Sequence, residues 1–204
     1  MQQEGYPLRR QEIISRAAKL FQENGYERTS VNQIAKEMGF SKPALYYYFS
    51  DKKEILWEIY NIAISRALKE ARSIVEQDMT GKEKMRLMLM THTMLLSEDI
   101  YLWSVMFDEE NSLAEDKQKL IRKNRGEYEA IFEKVYSEGV KAGDFRSCPP
   151  KIAIRAILGS FNWLYKWYQP DCAMSPKEIF EHFYDILANG FIGPAQNNIR
   201  GDNY

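Results

Sequence analysis

Apolar and polar residues recur with the period of an α-helix from one end of the chain to the other. Between residues 9 and 24, Ile13, Ile14, Ala17, Ala18 and Phe21 fall on one stripe, and Gly25 stands where such a helix stops. Val31, Ile34, Ala35 and Met38 repeat the pattern over a much shorter stretch. The later pattern predicts longer helices over roughly 51–76, 81–97, 100–109, 113–142, 150–168 and 176–191. Helix-start signals pair a capping side chain with an acid or amide three positions on, at Ser30 and Gln33, Asp51 and Glu54, Thr80 and Glu83, Ser112 and Glu115, and Ser175 and Glu178. No segment alternates with period two for long enough to make a strand. The expectation is an all-α protein, with a compact three-helix unit over residues 1–55 and a larger helical body over 56–204. The polar tail from Pro194 to Tyr204 reads as frayed.

The run from Ser30 to Phe49, SVNQIAKEMGFSKPALYYYF, has the residue types of a helix-turn-helix at the required spacing. Ala35 offers a small side chain where the first helix meets the second. Gly39 suits a tight turn at positive φ, and Leu45 is the apolar plug from the second helix. Ser41 can cap that second helix, and Pro43 is tolerated because first-turn amides are unpaired anyway. Gly39 as a plain stop between two core helices is the bland alternative. Against it, three consecutive tyrosines point round the helix and cannot all be buried. Exposed phenols beside Lys42 suit a DNA-facing surface, since a hydroxyl can bond phosphate and a ring can meet a thymine methyl. Lys52 and Lys53 open the next helix, where the dipole mildly disfavours cations; a phosphate there would favour both, and taken alone plain solvation is the simpler reading.

Charge changes this picture little. The 204 residues hold 28 Lys+Arg and 29 Asp+Glu, which excludes a protein that coats nucleic acid by bulk charge. Residues 1–55 carry 9 basic and 7 acidic side chains, a net of +2, and residues 56–204 carry 19 and 22, a net of −3. Hydrophobic residues at 45% and aromatics at 13% are ample for a packed core. The longest apolar approach, Ile152–Tyr168, is broken by Arg155 and Lys166, so no membrane span is expected. The opening MQQEGYPLRR lacks the apolar core of a secretory signal, and the expectation is a cytoplasmic protein. Cys148 and Cys172 are too few for a disulfide scaffold, and His92 and His182 do not form a metal-ligand cluster. No cofactor is implied.

Residues 9–56, and above all TSVNQIAKEMGFSKPALYYYFSDKKEIL, resemble the DNA-binding head of the TetR family of bacterial transcriptional regulators. Pro43 replaces a more usual glycine of that family, and Tyr48 a common histidine. EGVKAGDFR at 138–146 resembles the end of the family's long seventh helix. The resemblance implies a homodimeric regulator, usually a repressor, that binds a palindromic double-stranded DNA operator and is released by a small ligand. Carried over by position, Thr29, Ser41, Tyr46, Tyr48 and Lys52 would hold phosphates. Lys42, Pro43, Ala44 and Tyr47 would face base edges in the major groove.

The body shows surplus apolar surface. Ile152–Tyr168 is apolar on more than one stripe, and Ile179, Phe180, Phe183, Tyr184, Leu187 and Phe191 line one side of the last helix. Two such helices, 150–168 and 176–191, suit a four-helix dimer interface, with one thick internal core as the alternative. Met88 and His92 in a methionine-rich helix, with Trp103, Phe107, Tyr128, Asn162, Trp163, Lys166 and Trp167, are candidates to line a pocket for a small, largely hydrophobic effector. GSFNWLYKWY resembles a TetR subgroup that controls fatty-acid or steroid-ring degradation and answers to acyl-CoA thioesters. Arg122, Arg125, Arg155 and Lys166 would then meet phosphates. An enzyme is disfavoured, because the chain lacks a phosphate-binding glycine loop, a G-x-S-x-G elbow and a metal-binding histidine pair. A ligand-independent architectural DNA binder would not need so large a body rich in Met and Trp.

Overall fold

The computed structural model describes residues 5–190, and every regular element among them is helical. The expected frayed tail and Phe191 lie outside these residues. In chain order the helices are α1 (Gly5–Asn24), α2 (Val31–Glu37), α3 (Lys42–Tyr46), α4 (Lys52–Val75), α5 (Gly81–Glu98) and α6 (Ile100–Asp108). A short 3-10 turn, Glu110–Ser112, follows. Then come α7 (Glu115–Ala142), α8 (Pro150–Asn162), α9 (Leu164–Trp167) and α10 (Pro176–Asn189).

Local chemistry sets most of the helix starts. Ser30, Thr80 and Ser175 form complete capping boxes with Gln33, Glu83 and Glu178. Each such cap is worth about 1 kcal/mol. Asp51 accepts from the Glu54 amide at 2.7 Å, while the Glu54 carboxylate turns back to the Ser50 amide. Ser112 does not start α7 as its spacing suggests. Its hydroxyl donates to Glu109 within the 3-10 turn, and α7 begins beyond Ala114 with no side-chain cap. Glu115 and Asp116 in the first turn favour that end through the helix dipole instead.

The helix expected over 150–168 is two. The Trp163 amide still bonds the Gly159 carbonyl at 3.2 Å, but the Lys166 amide bonds the Trp163 carbonyl at 3.0 Å, three residues back. That tightened turn ends α8 at Asn162 and restarts the chain as α9. The break lets Phe161 and Leu164 stay fully buried while Trp163 between them turns outward.

Packing joins two layers. Helix α1 lies against both α4 and α6, with α2 and α3 folded beneath it. In the body α5 is central, touching α4, α7, α8, α9 and α10. At its start α5 meets α7 without intervening side chains: a Cβ on Gly81 would stand 3.2 Å from the Gly139 Cα. A Cβ on Gly139 would overlap the Phe145 ring, which lies flat on Tyr136 with centroids 5.3 Å apart. Arg86 of α5 pairs with both Glu181 oxygens of α10 and lies over the Phe180 and Tyr184 rings.

Candidate DNA-reading and effector sites

The helix-turn-helix has the geometry its spacing requires. Gly39 adopts φ +66°, and nothing lies within 4 Å of where its Cβ would be, so conformation rather than space selects glycine there. Ala35 and Leu45 are buried at the crossing of α2 and α3. Ser41 caps α3 by accepting from the Ala44 amide at 3.3 Å, with Pro43 in the first turn. Lys42, Pro43 and Tyr46 are exposed, and Tyr47 is 72% exposed. Ala44 is half-buried. The Lys42 ammonium lies 5.8 Å from the Tyr46 ring centre.

Three residues expected on DNA have work inside the head. Thr29 is 1% exposed, and its hydroxyl donates to the carbonyls of Gly25 (2.9 Å) and Leu20 (3.2 Å). Lys52 donates from Nζ to the Tyr26 carbonyl at 2.7 Å and sits 4.0 Å above the Tyr26 ring. It thereby ties the start of α4 to the loop between α1 and α2. The half-buried Tyr48 ring stacks between Tyr6 (5.0 Å) and Phe40 (6.1 Å). Arg10 fixes the same corner: it donates to the Tyr48 carbonyl, pairs with Glu54 and Glu58, and lies 4.3 Å over Phe49. A one-dimensional pattern marks Thr29, Tyr48 and Lys52 as polar but not as buried or engaged.

In the body, a cavity of about 140 Å³ opens between α4, α5, α6, α7 and α8. Five of the nine expected pocket residues line it: His92, Trp103, Phe107, Tyr128 and Asn162. Ile64, Met106, Ile121 and Leu158 make much of its remaining apolar wall. Tyr60 also lines it, and its buried hydroxyl has no protein partner. Burial pushes the phenols of Tyr60 and Tyr128 well above the ordinary tyrosine range.

His92, 2% exposed, links three helices. Its Nε2 lies 2.8 Å from Asn162 Oδ1 and its Nδ1 lies 3.0 Å from the Tyr128 hydroxyl. An amide oxygen only accepts, so Nε2–H donates to Asn162 and Nδ1 accepts from Tyr128. Burial holds the imidazole down to about 4, against a smaller upward pull from the Asn162 bond, so the ring is neutral.

The other four candidates lie elsewhere. Met88 is enclosed in the core one helical turn before His92 and does not reach the cavity. Trp163 and Trp167 are 60% and 41% exposed, because the break after Asn162 turns them out of the bundle. Lys166 reaches Asp108 at 2.9 and 3.0 Å, with Tyr165 donating to the same carboxylate, and so fastens α9 to the end of α6.

A basic groove between α7 and α8 adjoins the cavity. It is lined by Arg122, Arg125, Lys151 and Arg155 with Glu129 and Glu133, and shares Arg125, Glu129 and Arg155 with the cavity itself. Lys151 carries no signal in sequence beyond its place one helical turn before Arg155. Outside, Ile152 (59% exposed), Ala156 and Trp163 form one stripe along α8 with Gly159, which also borders the cavity. Ile186 of α10 is exposed too. Among the described residues no helix is long and apolar enough to cross a membrane, and no three His, Cys, Asp or Glu side chains are grouped to hold a metal.

Residues 13–59 match the family model "Bacterial regulatory proteins, tetR family", and residues 78–191 match "Tetracyclin repressor-like, C-terminal domain". The Fatty acid metabolism regulator protein of Bacillus subtilis (strain 168) is 28% identical over 182 residues, covering 88% of this chain and 93% of the relative. The crystal structure of the TetR family transcriptional regulator PfmR from Thermus thermophilus superposes with a TM-score of 0.83 at 31% identity, covering 89% of this chain and 99% of that one. AibR, solved in complex with isovaleryl coenzyme A and operator DNA, shares the fold with a TM-score of 0.78 at 24% identity, covering 88% and 98%. With head and body both matched, the chain belongs to the TetR family of bacterial regulatory proteins and is a ligand-responsive transcriptional regulator, not an enzyme.

Proposed function

We propose that the protein is a cytoplasmic, homodimeric repressor whose head, residues 1–55, holds a palindromic operator until an acyl-CoA enters the body, residues 56–204. One observation carries the choice of effector: an apolar cavity and a basic groove share Arg125, Glu129 and Arg155. A thioester with an apolar acyl group and a polyanionic nucleotide fits such a pair of compartments, the acyl group inside and the phosphates along the arginines. An apolar cavity of about 150 Å³ takes a benzene ring. The acyl part is therefore compact, a short or branched chain or a single ring. The fatty-acid role in the name of the B. subtilis relative and the isovaleryl-CoA held by AibR agree with this class.

On DNA, Lys42, Pro43, Ala44 and Tyr47 read base edges, while Ser41 and Tyr46 hold phosphates. The exposed stripe Ile152, Ala156, Gly159 and Trp163, with Ile186 of α10, is the surface that a second copy covers through 150–168 and 176–191. Effector binding reaches the heads by two routes. Helix α4 lines the cavity with Tyr60, Ile64 and Ala67 and runs down into the head. Helix α6 lines it with Trp103, Met106 and Phe107 and packs on α1. Heads moved from their half-site spacing lose one of two grooves, and reciprocity requires operator to weaken effector binding by the same factor.

The test is operator release, measured by fluorescence anisotropy, across butyryl-, isovaleryl-, phenylacetyl- and palmitoyl-CoA. Compact acyl groups are expected to release DNA best. No release and no shift in melting temperature with any thioester would sink the reading.

A further inference from the structure

The arginines beside the cavity already hold an anion of the protein's own. Glu110 sits on the 3-10 turn that follows α6, with its side chain only 18% exposed. One carboxylate oxygen lies 2.6 Å from Arg125 and the other 3.5 Å from Arg122. Both arginines line the basic groove, and Arg125 lines the cavity as well. Glu129 and Glu133 also line the groove, but among the described residues it is Glu110 that pairs with these two guanidiniums.

We propose that Glu110 is the resident counter-anion of the effector's phosphate subsite, and that a phosphorylated ligand takes Arg122 and Arg125 by displacing it. The acyl-CoA reading supplies the identity of that ligand; the displacement itself requires only a multiply charged phosphate. A phosphate carries more charge than a carboxylate and offers three acceptor oxygens, so it competes well for two guanidinium forks. The pair is half-shielded from solvent, where salt screens it less than a surface pair.

Displacement has a structural consequence because of where Glu110 is anchored. The turn Glu110–Ser112 directly continues α6, the helix that presents Trp103, Met106 and Phe107 to the cavity and packs on α1. With Glu110 on the arginines, the end of α6 is fastened to α7. With Glu110 released, the tie to α7 is lost and the Asp108–Lys166 tie to α9 alone holds that end. Glu110 therefore sets the effector concentration at which the heads respond: whatever strengthens its hold opposes the effector and favours the operator-binding arrangement.

The experiment compares the full-length wild type, Glu110→Gln and, as a control, Glu115→Gln, which removes an exposed partner of Lys119 on α7. Operator affinity is measured without ligand. Affinity for adenosine 3′,5′-bisphosphate and for isovaleryl-CoA is measured by calorimetry. Glu110→Gln is expected to bind the bisphosphate about 5- to 10-fold more tightly and the operator more weakly by a similar factor. The control should match wild type in both. Both shifts are required, so an unchanged affinity for either operator or bisphosphate overturns the proposal. Glu110→Asp, which keeps the charge but shortens the reach, should fall between, and it carries the same test if the glutamine variant folds poorly. If both shifts appear but isovaleryl-CoA binds neither protein, the acyl-CoA reading falls and the displacement stands.

Discussion

Asn162 and Trp163 are adjacent in the chain and serve opposite surfaces: Asn162 bonds His92 in the cavity wall at 2.8 Å, and Trp163 is 60% exposed on the outer face. The end of α8 between them makes this possible. If that face is the dimer interface, Trp163→Glu places a charge in its centre. Sedimentation should then show monomers, and operator affinity should fall by about 100-fold or more as the avidity of two heads is lost. A Trp163→Glu protein that remains dimeric would place the interface elsewhere.

Tyr47 and Lys52 should behave differently from each other. Tyr47, 72% exposed, touches Tyr6 and Tyr48 only edge-on. Its replacement by Ala should leave the melting temperature within about 2 °C while lowering operator affinity and relaxing base preference. Lys52→Ala should instead destabilise the head by about 1 kcal/mol, since it removes the bond to Tyr26 and the cation above its ring. Parallel thermal melts and anisotropy titrations separate the two effects.

Thr29→Val should act as a stability substitution and not a phosphate-contact one. The two half-buried carbonyls of Gly25 and Leu20 lose the hydroxyl donor, at about 1 kcal/mol. Chemical denaturation would register the loss, and the salt slope of operator binding should be unchanged.

His92 gives the protein an acid sensitivity of known sign. Its ordinary value near 6.5 is brought to about 4 by burial, so the unfolded chain binds the proton more readily than the native one. Its contribution is fully present above pH 6.5 and is lost as pH falls from there toward 4. Over that window the loss approaches about 3 kcal/mol. Urea melts at steps between pH 7.5 and 4.5 should trace it, and the slope should flatten in His92→Gln.

What sequence reveals here is the part written in local chemistry. Ser30, Thr80 and Ser175 announce helix starts because the capping box closes within four residues, and Gly39 announces its turn because few other residues tolerate its φ. His92, Trp103, Phe107, Tyr128 and Asn162 are legible as apolar or polar oddities in amphipathic helices, and the cavity does join them. Trp163 and Trp167 are misplaced by pattern because an uninterrupted apolar run hides a helix break, and burial on one face reads the same as burial on another. The internal bonds of Thr29 and Lys52 go unread for a related reason: their partners are backbone carbonyls of Leu20, Gly25 and Tyr26, and a carbonyl has no signature in sequence. The Glu110 bridge spans 15 residues to Arg125 and emerges only once the 3-10 turn has been built.

The bare crossing of Gly81 and Gly139 makes a fulcrum. Where two helices touch backbone to backbone, no side chain at that point sets their angle, and a change of angle would displace their far ends most. At 1.5 Å per residue, His92 lies about 16 Å along α5 from that point, and Arg125 and Tyr128 lie at about 21 and 16 Å along α7. The groups that surround the cavity are therefore carried on the long arms of a pair of levers. A larger residue at the crossing would have to part α5 from α7 or push the Phe145 ring aside, and would thereby shift those groups without touching a single residue of the pocket.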